Sequence, residues 1–268
     1  IGIIGIAALI ELTRRCVGLP ILFVAGFFLI YALAVGLTNP AFLGRVKFLV
    51  RNLFYTKEGI FSTPVNVCSK YIVVFIIFGA FLERTGISNF FIQLANCIAG
   101  KYAGGPAKVA VISSALCGMV SGSSVGNTVT TGSVTIPMMK DTGYKPEFAG
   151  AVEAASSTGG QIMPPIMGAA AFLMADFVGV PYSNIIVRAI LPALLYFTGI
   201  FISVHLEAKK LGLSGIPKEK LPVFKLLIRK IYLLLPLVML VIWVSGNYMT
   251  MQKAASYAIV LSVIVSLF

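Results

Sequence analysis

The residues best suited to chemistry carry neutral oxygens, and they lie in two polar, glycine-rich stretches of an otherwise apolar chain. The first stretch reads Ser121-Gly-Ser-Ser-Val-Gly-Asn-Thr128, and the second reads Ser156-Ser-Thr-Gly-Gly-Gln-Ile-Met-Pro-Pro-Ile-Met-Gly168. Hydroxyl, amide and carbonyl oxygens of this kind suit a hard cation such as sodium. The candidate oxygens are those of Ser121, Ser123, Ser124, Asn127, Thr128 and Thr131 in the first cluster, and of Ser156, Ser157, Thr158, Gln161, Gly159 and Gly160 in the second.

The same residue types also have a purely structural explanation. Serine, threonine and glycine allow membrane helices to approach closely and to form hydrogen bonds with one another. Close packing does not require a run of helix-breaking residues, however, and such residues are concentrated in these two stretches. Both interpretations stay open for any single residue, whereas the two clusters together favour a binding site.

An intramembrane enzyme is the alternative from a different class, with a serine nucleophile in Ser121-Gly-Ser-Ser. Such a nucleophile needs a neighbouring base. The single histidine, His205, is expected in a basic surface loop at the edge of the apolar segments. Glu153 is the most deeply placed carboxylate, and it is either a functional group or the partner of a lysine or arginine. The pattern therefore favours ion binding over catalysis.

The composition identifies the solvent around these residues as lipid. Of the 268 residues, 58% are hydrophobic and 11% are charged, whereas about 25% of a typical soluble domain is charged. The net charge of +12 comes from basic residues in the gaps between apolar runs, which is typical of topology signals rather than of nucleic-acid binding. Four scattered cysteines predict neither a metal cluster nor a disulfide framework. Because the sequence begins and ends inside apolar runs, we expect it to be part of a longer membrane protein.

The apolar runs and basic gaps divide the chain into five regions. A topology that keeps most basic residues in the cytoplasm still places the basic stretch 44–57 outside the cell, which conflicts with the positive-inside rule. The second apolar segment is predicted to end at Asn39 and Pro40. The predicted regions are scaffold-like transmembrane helices over 1–83, an interfacial arm over 84–108, half of a transport domain over 109–204, a basic cytoplasmic arm over 205–230 and the start of further scaffold helices over 231–268.

The transport-domain half contains two unusual elements. Apolar pieces at 109–120 and 129–139 are each too short to cross a bilayer, which needs roughly 20 residues. Because lysines at 101, 108, 140 and 145 bracket the pair, we predict a re-entrant hairpin 109–139 that enters and leaves on the cytoplasmic side. The segment 147–179 is too long for one span, and its glycines and prolines predict a broken helix. A helix over 185–204 follows.

Four runs of residues resemble the large membrane subunit of tripartite ATP-independent periplasmic (TRAP) transporters, most closely the type in which the small and large subunits are fused. The resemblance covers nearly the whole chain and is strongest over 104–182. One departure is Gly126, which stands where the family usually has alanine. The runs are Gly104-Gly-Pro-Ala-Lys-Val-Ala110, Ser121–Thr128, Thr131-Gly-Ser-Val-Thr-Ile-Pro-Met-Met-Lys140 and Ala154-Ala-Ser-Ser-Thr-Gly-Gly-Gln-Ile-Met-Pro-Pro-Ile-Met-Gly-Ala-Ala-Ala-Phe172.

The resemblance implies a sodium-coupled importer of an organic anion, usually a carboxylate, that receives its substrate from a periplasmic binding protein. It also implies an elevator mechanism, inverted repeats and a multi-pass location in a bacterial or archaeal cytoplasmic membrane. A small membrane subunit, fused or separate, is the further partner. The implied sodium site sets Ser123, Ser124, Asn127 and Thr128 against Ser156, Ser157, Gly159 and Gly160.

We therefore predict an all-α polytopic membrane protein that forms one half of an inverted-repeat transporter. We expect no catalytic residues and no cofactor, with sodium as the coupling ion. The alternatives are an intramembrane enzyme and an ion-coupled transporter that does not depend on a binding protein. The residues predicted to line the substrate path are Thr131, Thr158, Gln161, Pro164 and Pro165.

Overall fold

A computed structural model of the chain describes residues 1–35, 41–217, 221–222, 224–246 and 248–267. Within these ranges the ordered elements are helical and no strand is present, so the all-α prediction is confirmed. The predicted helix end at Asn39 and Pro40, and residues 218–220 and 223 of the predicted basic arm, lie outside the described residues. The chain divides into two compact units, Ile1–Ser69 and Lys70–Phe268.

The first unit contains α1 (Gly2–Cys16), α2 (Leu19–Val35), α3 (Phe42–Phe54) and α4 (Thr63–Val67). Two glycines of α1 bring it close to α3, since a Cβ at Gly2 would lie 2.8 Å from Val50 Cγ1 and one at Gly5 would lie 2.2 Å from the Phe54 ring. The apolar helix α2 has no buried side chain within the chain. A surface of this kind is suited to contact with lipid or with other membrane helices.

The second unit begins with α5 (Val73–Arg84), which follows a π-helical turn at Cys68–Ile72, and continues with α6 (Ile87–Ala99). Two helical stretches, Thr63–Arg84 and Tyr182–Lys210, are long and apolar enough to cross a membrane. Helix α6 packs against the next helix. Its membrane depth stays a prediction.

The predicted hairpin consists of α7 (Gly105–Ser121) and α8 (Ser124–Asp141), which pack against each other. Both helices are longer than the predicted pieces 109–120 and 129–139, and each is about 25–27 Å long at 1.5 Å per residue. The polar residues after the tip continue the helix because threonine hydroxyls bond to carbonyls one turn back: Thr128 Oγ1 donates to Ser124 O (2.8 Å) and Thr130 Oγ1 donates to Gly126 O (2.9 Å). The polar stretch 121–128 between the two predicted pieces is therefore a two-residue turn followed by the first residues of α8.

The segment 147–179 forms two helices, α9 (Pro146–Gly159) and α10 (Ala169–Val178), so the helix is broken as predicted. The following helix, α11 (Tyr182–Lys210), is longer than the predicted span 185–204 and includes the beginning of the predicted basic arm. Its basic residues Lys209 and Lys210 lie in the last turn, where cations stabilise the helix macrodipole.

The chain then forms a short α12 (Phe224–Ile228), a 3₁₀ turn (Ile231–Leu234), α13 (Leu235–Ser245) and α14 (Met251–Ser266). Helix α14 packs against both α13 and α5. Because α5 precedes the hairpin in the sequence and α14 follows α11, the helices on both sides of the site-bearing region meet in this unit.

One buried cluster fixes the direction of the hairpin. It brings together Ala107 near the start of α7, Met139 near the end of α8, Ala149 near the start of α9 and Ala208 near the end of α11. The hairpin therefore begins and ends at one end of the bundle, and its tip lies at the other. This geometry is what a re-entrant hairpin requires, while entry and exit on the cytoplasmic side stay predictions.

Candidate functional site

The hairpin tip is a turn of two residues. Helix α7 ends at Ser121, and Gly122 adopts a left-handed conformation with φ of 61°, which a residue with a Cβ rarely adopts. Ser123 caps α8, since its Oγ accepts a hydrogen bond of 3.2 Å from Gly126 N. Such a cap satisfies one of the amides that are unpaired at a helix N-terminus.

The break between α9 and α10 is a series of tight turns. Gln161 N donates to Thr158 O (3.1 Å) and Met163 N donates to Gly160 O (3.2 Å). Gly168 N donates to Gln161 O at 2.7 Å and so joins the two ends of the loop. The carbonyls of Gly159 and Gly160, two of the candidate cation ligands, each accept one backbone hydrogen bond. Each of these oxygens therefore keeps one lone pair free.

The tip and the break touch each other. Gln161 Nε2 donates to Ser124 Oγ at 2.9 Å. A Cβ at Gly122 would lie 2.4 Å from Met167 O, so the two backbones are too close for a residue with a side chain at position 122. The two polar clusters therefore meet at one junction.

Asn127 lies beside this junction and is 1% exposed. Its Nδ2 donates to Ser114 O at 2.8 Å. A Cβ at Gly118 would lie 3.2 Å from Asn127 Nδ2 and 2.4 Å from Gly160 Cα. The Asn127 amide and Gly160 thus both lie against Gly118 of α7.

Two buried oxygens at this position have no hydrogen-bond partner among the described residues. They are Asn127 Oδ1 and Ser156 Oγ, and both residues are at most 1% exposed. Ser156 and Gly160 are four residues apart on α9 and so lie on one face of that helix. A buried unsatisfied oxygen costs about 1–3 kcal/mol. A small cation bound between these oxygens would offset that cost.

The other residues predicted to bind the cation have different surroundings. Ser123 is the helix cap, and the Thr128 hydroxyl bonds to its own helix. Ser157 Oγ donates to Glu153 Oε1 at 3.1 Å. Gly159 faces α11, because a Cβ there would lie 2.5 Å from the Tyr196 ring. The Asn127 amide and Gly160 therefore both approach Gly118, and Ser156 lies one turn before Gly160 on α9, whereas Ser157 and Gly159 contact other partners.

The residues predicted to line the substrate path separate into two groups. Thr158 and Gln161 are exposed. Pro165 is buried, and its carbonyl accepts a 3.0 Å hydrogen bond from the Tyr182 hydroxyl. Pro164 is partly buried, and Thr131 is fully buried with its hydroxyl against Glu153. Thr158 and Gln161 are thus the two that present polar atoms at an accessible surface.

Glu153 is an important residue whose partners the sequence does not identify. It is 0% exposed, and hydroxyl groups surround its carboxyl group. Ser114 Oγ donates to Oε1 at 2.7 Å, and Thr135 Oγ1 donates to Oε2 at 2.5 Å. The signal that points to this arrangement is the spacing of Glu153, Ser156, Ser157 and Gly160 at i, i+3, i+4 and i+7, which forms one polar stripe on α9.

His205 differs from its predicted place in a surface loop. It lies inside α11, where its Nδ1 is 3.0 Å from the Nζ of Lys108. Lys108 is 4% exposed, and its ammonium group also lies 5.4 Å from the centre of the Phe201 ring. Helix α11 continues past the apolar segment, and this extension brings the histidine to the start of the hairpin.

The serine nucleophile that the enzyme alternative would require has no base beside it among the described residues. Ser121 Oγ lies 3.4 Å from Ser123 O, and Ser123 Oγ accepts from a backbone amide. The histidine is engaged with Lys108 near the opposite end of α7. The geometry does not assemble the nucleophile and base pair that acyl transfer needs.

Comparison with known proteins places the chain among membrane transport proteins. Residues 4–268 match the family described as "Tripartite ATP-independent periplasmic transporter, DctM component". A C4-dicarboxylate TRAP transporter large permease protein of Pseudomonas aeruginosa is 28% identical over 212 residues, which are 78% of this chain and 49% of that protein.

Two further relatives carry other substrate names. An isethionate TRAP transporter permease protein, DctMQ, of Oleidesulfovibrio alaskensis is 26% identical over 93% of this chain and 40% of its own length. A sialic acid TRAP transporter permease protein of Haemophilus influenzae is 26% identical over 54% of this chain and 23% of its own length. The chain thus spans about half, or less, of the length of these relatives.

Proposed function

Because this chain belongs to the DctM component family of the tripartite ATP-independent periplasmic transporters, we propose that it is one half of a sodium-coupled permease that imports an organic anion. The substrates named for three relatives are C4-dicarboxylates, isethionate and sialic acid. All three carry a carboxylate or sulfonate at neutral pH. Because two of the three, the C4-dicarboxylates and sialic acid, carry carboxylates, a carboxylate is the substrate class that we favour.

The observation that carries the proposal is the pair of unpaired buried oxygens, Asn127 Oδ1 and Ser156 Oγ, where the hairpin meets the broken helix. Sodium is a hard cation that binds neutral oxygens. Discontinuous helices that meet inside a membrane protein are the usual place for coupling-ion sites in secondary transporters. The sodium ligands we propose are these two oxygens, together with second lone pairs of carbonyls near Gly160.

The substrate would bind beside the ion, where Thr158 and Gln161 are exposed. Gln161 is held by Ser124 at the start of α8, and a helix N-terminus favours an anionic group. In this arrangement the bound cation and the helix end attract the same carboxylate, so that ion and substrate stabilise each other.

The proposed partners follow from membership of the family. They are a periplasmic binding protein that delivers the anion and a small membrane subunit, either fused or separate. The proposed location is the bacterial inner membrane. We propose no catalytic activity, and the surroundings of Ser121 and Ser123 support this.

The test is uptake by the full-length permease in proteoliposomes, with its binding protein outside. The labelled probes are succinate, isethionate and sialic acid, each supplied with an inward sodium gradient or with potassium alone. We expect uptake of at least one probe to require sodium. Uptake that is equal in potassium would contradict sodium coupling.

The ion site is tested by Asn127→Ala and Ser156→Ala, with Ser133→Ala as the matched control. Ser133 lies on α8 like Asn127, but it is exposed, and its hydroxyl donates to the carbonyl of Thr130 in its own helix. We expect the sodium concentration for half-maximal uptake to rise about tenfold in each site variant, since one lost ligand contact is worth about 1.4 kcal/mol. The double variant should be non-additive, as for groups that share one ion. Unchanged sodium dependence in either single variant contradicts the shared site.

A further inference from the structure

The carboxylate of Glu153 is enclosed by hydroxyl groups from three helices, and the residue is 0% exposed. A carboxylate is an acceptor with two oxygens, so it can accept from several hydroxyls at once. The ion pairs formed between described residues do not include Glu153. The hydroxyls within hydrogen-bond distance are those of Ser114 on α7 (2.7 Å from Oε1), Thr131 on α8 (beside Oε1), Thr135 on α8 (2.5 Å from Oε2) and Ser157 on α9 (3.1 Å from Oε1).

Two of these hydroxyls belong to residues that also hold Asn127. Ser114 donates its hydroxyl to Glu153, while its backbone carbonyl accepts a 2.8 Å hydrogen bond from Asn127 Nδ2. Thr131 Oγ1 contacts Glu153 and lies 2.8 Å from Asn127 O. Because Nδ2 is bound to a carbonyl, the amide is oriented with Oδ1 as its free atom. One residue on α7 and one on α8 thus link Glu153 to the side chain whose oxygen lacks a partner.

The second unpaired oxygen lies on the helix that carries Glu153. Ser157 Oγ donates to Glu153 Oε1 at 3.1 Å, and the residue before it, Ser156, carries the unpaired Oγ. Glu153, Ser156 and Ser157 occupy positions i, i+3 and i+4 of α9, so they share one face of the helix. The carboxylate therefore lies one helical turn from Ser156 and one residue away from Asn127 through Ser114.

The charge of this carboxylate has no opposite charge within hydrogen-bond distance among the described residues. Hydroxyl donors satisfy its lone pairs but bring no net positive charge, and a buried charge without a counter-charge is costly. Electrostatic attraction is strong in the interior of a protein and is little screened by salt there. A cation held between Asn127 and Ser156 would supply the counter-charge without displacing any hydroxyl from the carboxylate.

We infer that Glu153 is a positioning residue for the cation site: it fixes the Asn127 amide through Ser114 and supplies the negative charge that a bound cation offsets. Glu153 is not itself a ligand, because hydroxyl groups already occupy both of its oxygens. The inference rests on the proposed sodium coupling, and it adds the residue that sets the affinity of that site.

Sodium binding to the purified full-length permease tests this role without substrate. The melting temperature is followed while sodium chloride replaces choline chloride at constant ionic strength, in wild type, Glu153→Gln and Glu147→Gln. Glu147→Gln is the matched control, because it removes the same charge from the same helix at an exposed position. We expect the half-saturating sodium concentration to rise about tenfold or more in Glu153→Gln, since a nearby opposite charge is lost, and to stay at the wild-type value in Glu147→Gln.

A merely structural role of Glu153 gives a different result. It lowers the melting temperature in choline but leaves the half-saturating sodium concentration unchanged, and this outcome overturns the inference. Asn127→Ala separates the inference from the sodium site itself. If Asn127→Ala weakens sodium binding and Glu153→Gln does not, the site stands and the role of Glu153 is refuted. If sodium does not raise the melting temperature of wild type, the sodium site is absent and the inference falls with it.

A second variant keeps the test decisive if Glu153→Gln does not fold. Ser114→Ala retains the carboxylate and the carbonyl that holds Asn127, but removes the hydroxyl that joins Glu153 to α7. Ser113→Ala is its matched control, because Ser113 is also 0% exposed on α7 but donates to Ala110 O. We expect the half-saturating sodium concentration to rise several-fold in Ser114→Ala and to stay unchanged in Ser113→Ala. Equal sodium affinities in these two variants overturn the inference.

Discussion

A methyl group added at Gly118 should separate the hairpin from the broken helix. The Cβ of Gly118→Ala would lie 2.4 Å from Gly160 Cα, whereas two carbon atoms in favourable contact are about 3.5–4.0 Å apart. An overlap of about 1 Å against a backbone atom cannot be relieved by a side-chain rotation, so α7 and α9 must move apart. Overpacking of this kind typically costs about 1–3 kcal/mol.

The matched control is Gly126→Ala in the same hairpin. A Cβ at Gly126 would lie 3.5 Å from Ser123 Oγ, which is ordinary van der Waals contact. Alanine also favours a helix over glycine by about 1 kcal/mol. This variant should therefore be as stable as wild type or more stable.

The measurements are the melting temperature of the purified full-length permease and its uptake in proteoliposomes. We expect Gly118→Ala to lower both, and Gly126→Ala to lower neither. The close approach of Gly118 and Gly160 is refuted if Gly118→Ala melts and transports like wild type. It is equally refuted if both variants are destabilised to the same extent, since the loss would then not depend on the contact.

Three further predictions follow from the same geometry. In a cysteine-free background, Lys101→Cys and Lys140→Cys should react with an impermeant thiol reagent from the same side, because the hairpin begins and ends at one end of the bundle, and the lysine bias predicts that this side is the cytoplasm; labelling from opposite sides would contradict the hairpin, and labelling of both from the periplasm would contradict its predicted orientation. Tyr182→Phe removes a hydroxyl that donates to Ile166 O at 2.5 Å and also lies 3.0 Å from Pro165 O, and it should lower the stability of the permease by about 0.5–1.5 kcal/mol, measured as its melting temperature. Gln161→Ala and Ser124→Ala should change substrate uptake to a similar degree and without additivity in the double variant, since they share one hydrogen bond of 2.9 Å; additive losses would show that the bond does not matter.

Gly160→Ala is less informative than its place in the predicted sodium site suggests. A Cβ there would lie 2.6 Å from Gly118 Cα. The variant therefore disturbs helix packing whether or not an ion binds nearby. Substitutions of Asn127 and Ser156 remove oxygens without adding atoms, and for that reason they are the sharper test of cation binding.

Local sequence signals were sufficient for the elements around the site. Two glycines followed by two prolines strongly disfavour a continuous helix, and the break between α9 and α10 lies where this composition predicts it. The second apolar piece of the hairpin is predicted to begin at residue 129, because the polar run 121–128 precedes it, whereas α8 begins at Ser124. In the structure, Thr128 and Thr130 bond to carbonyls of their own helix and continue it.

The sequence by itself determined that this protein belongs in a membrane, that its polar residues concentrate in two clusters, and that one helix breaks at the second cluster. Each of these properties depends on composition or on neighbours within a few residues. The tertiary structure decided which polar atoms meet. Glu153 has partners at positions 114, 131 and 135, and Lys108 meets a histidine 97 residues away. Such pairings depend on how each helix is rotated about its axis and shifted along it where helices pack. Backbone contacts between residues far apart in the sequence, such as Gly118 with Gly160, set this rotation and shift.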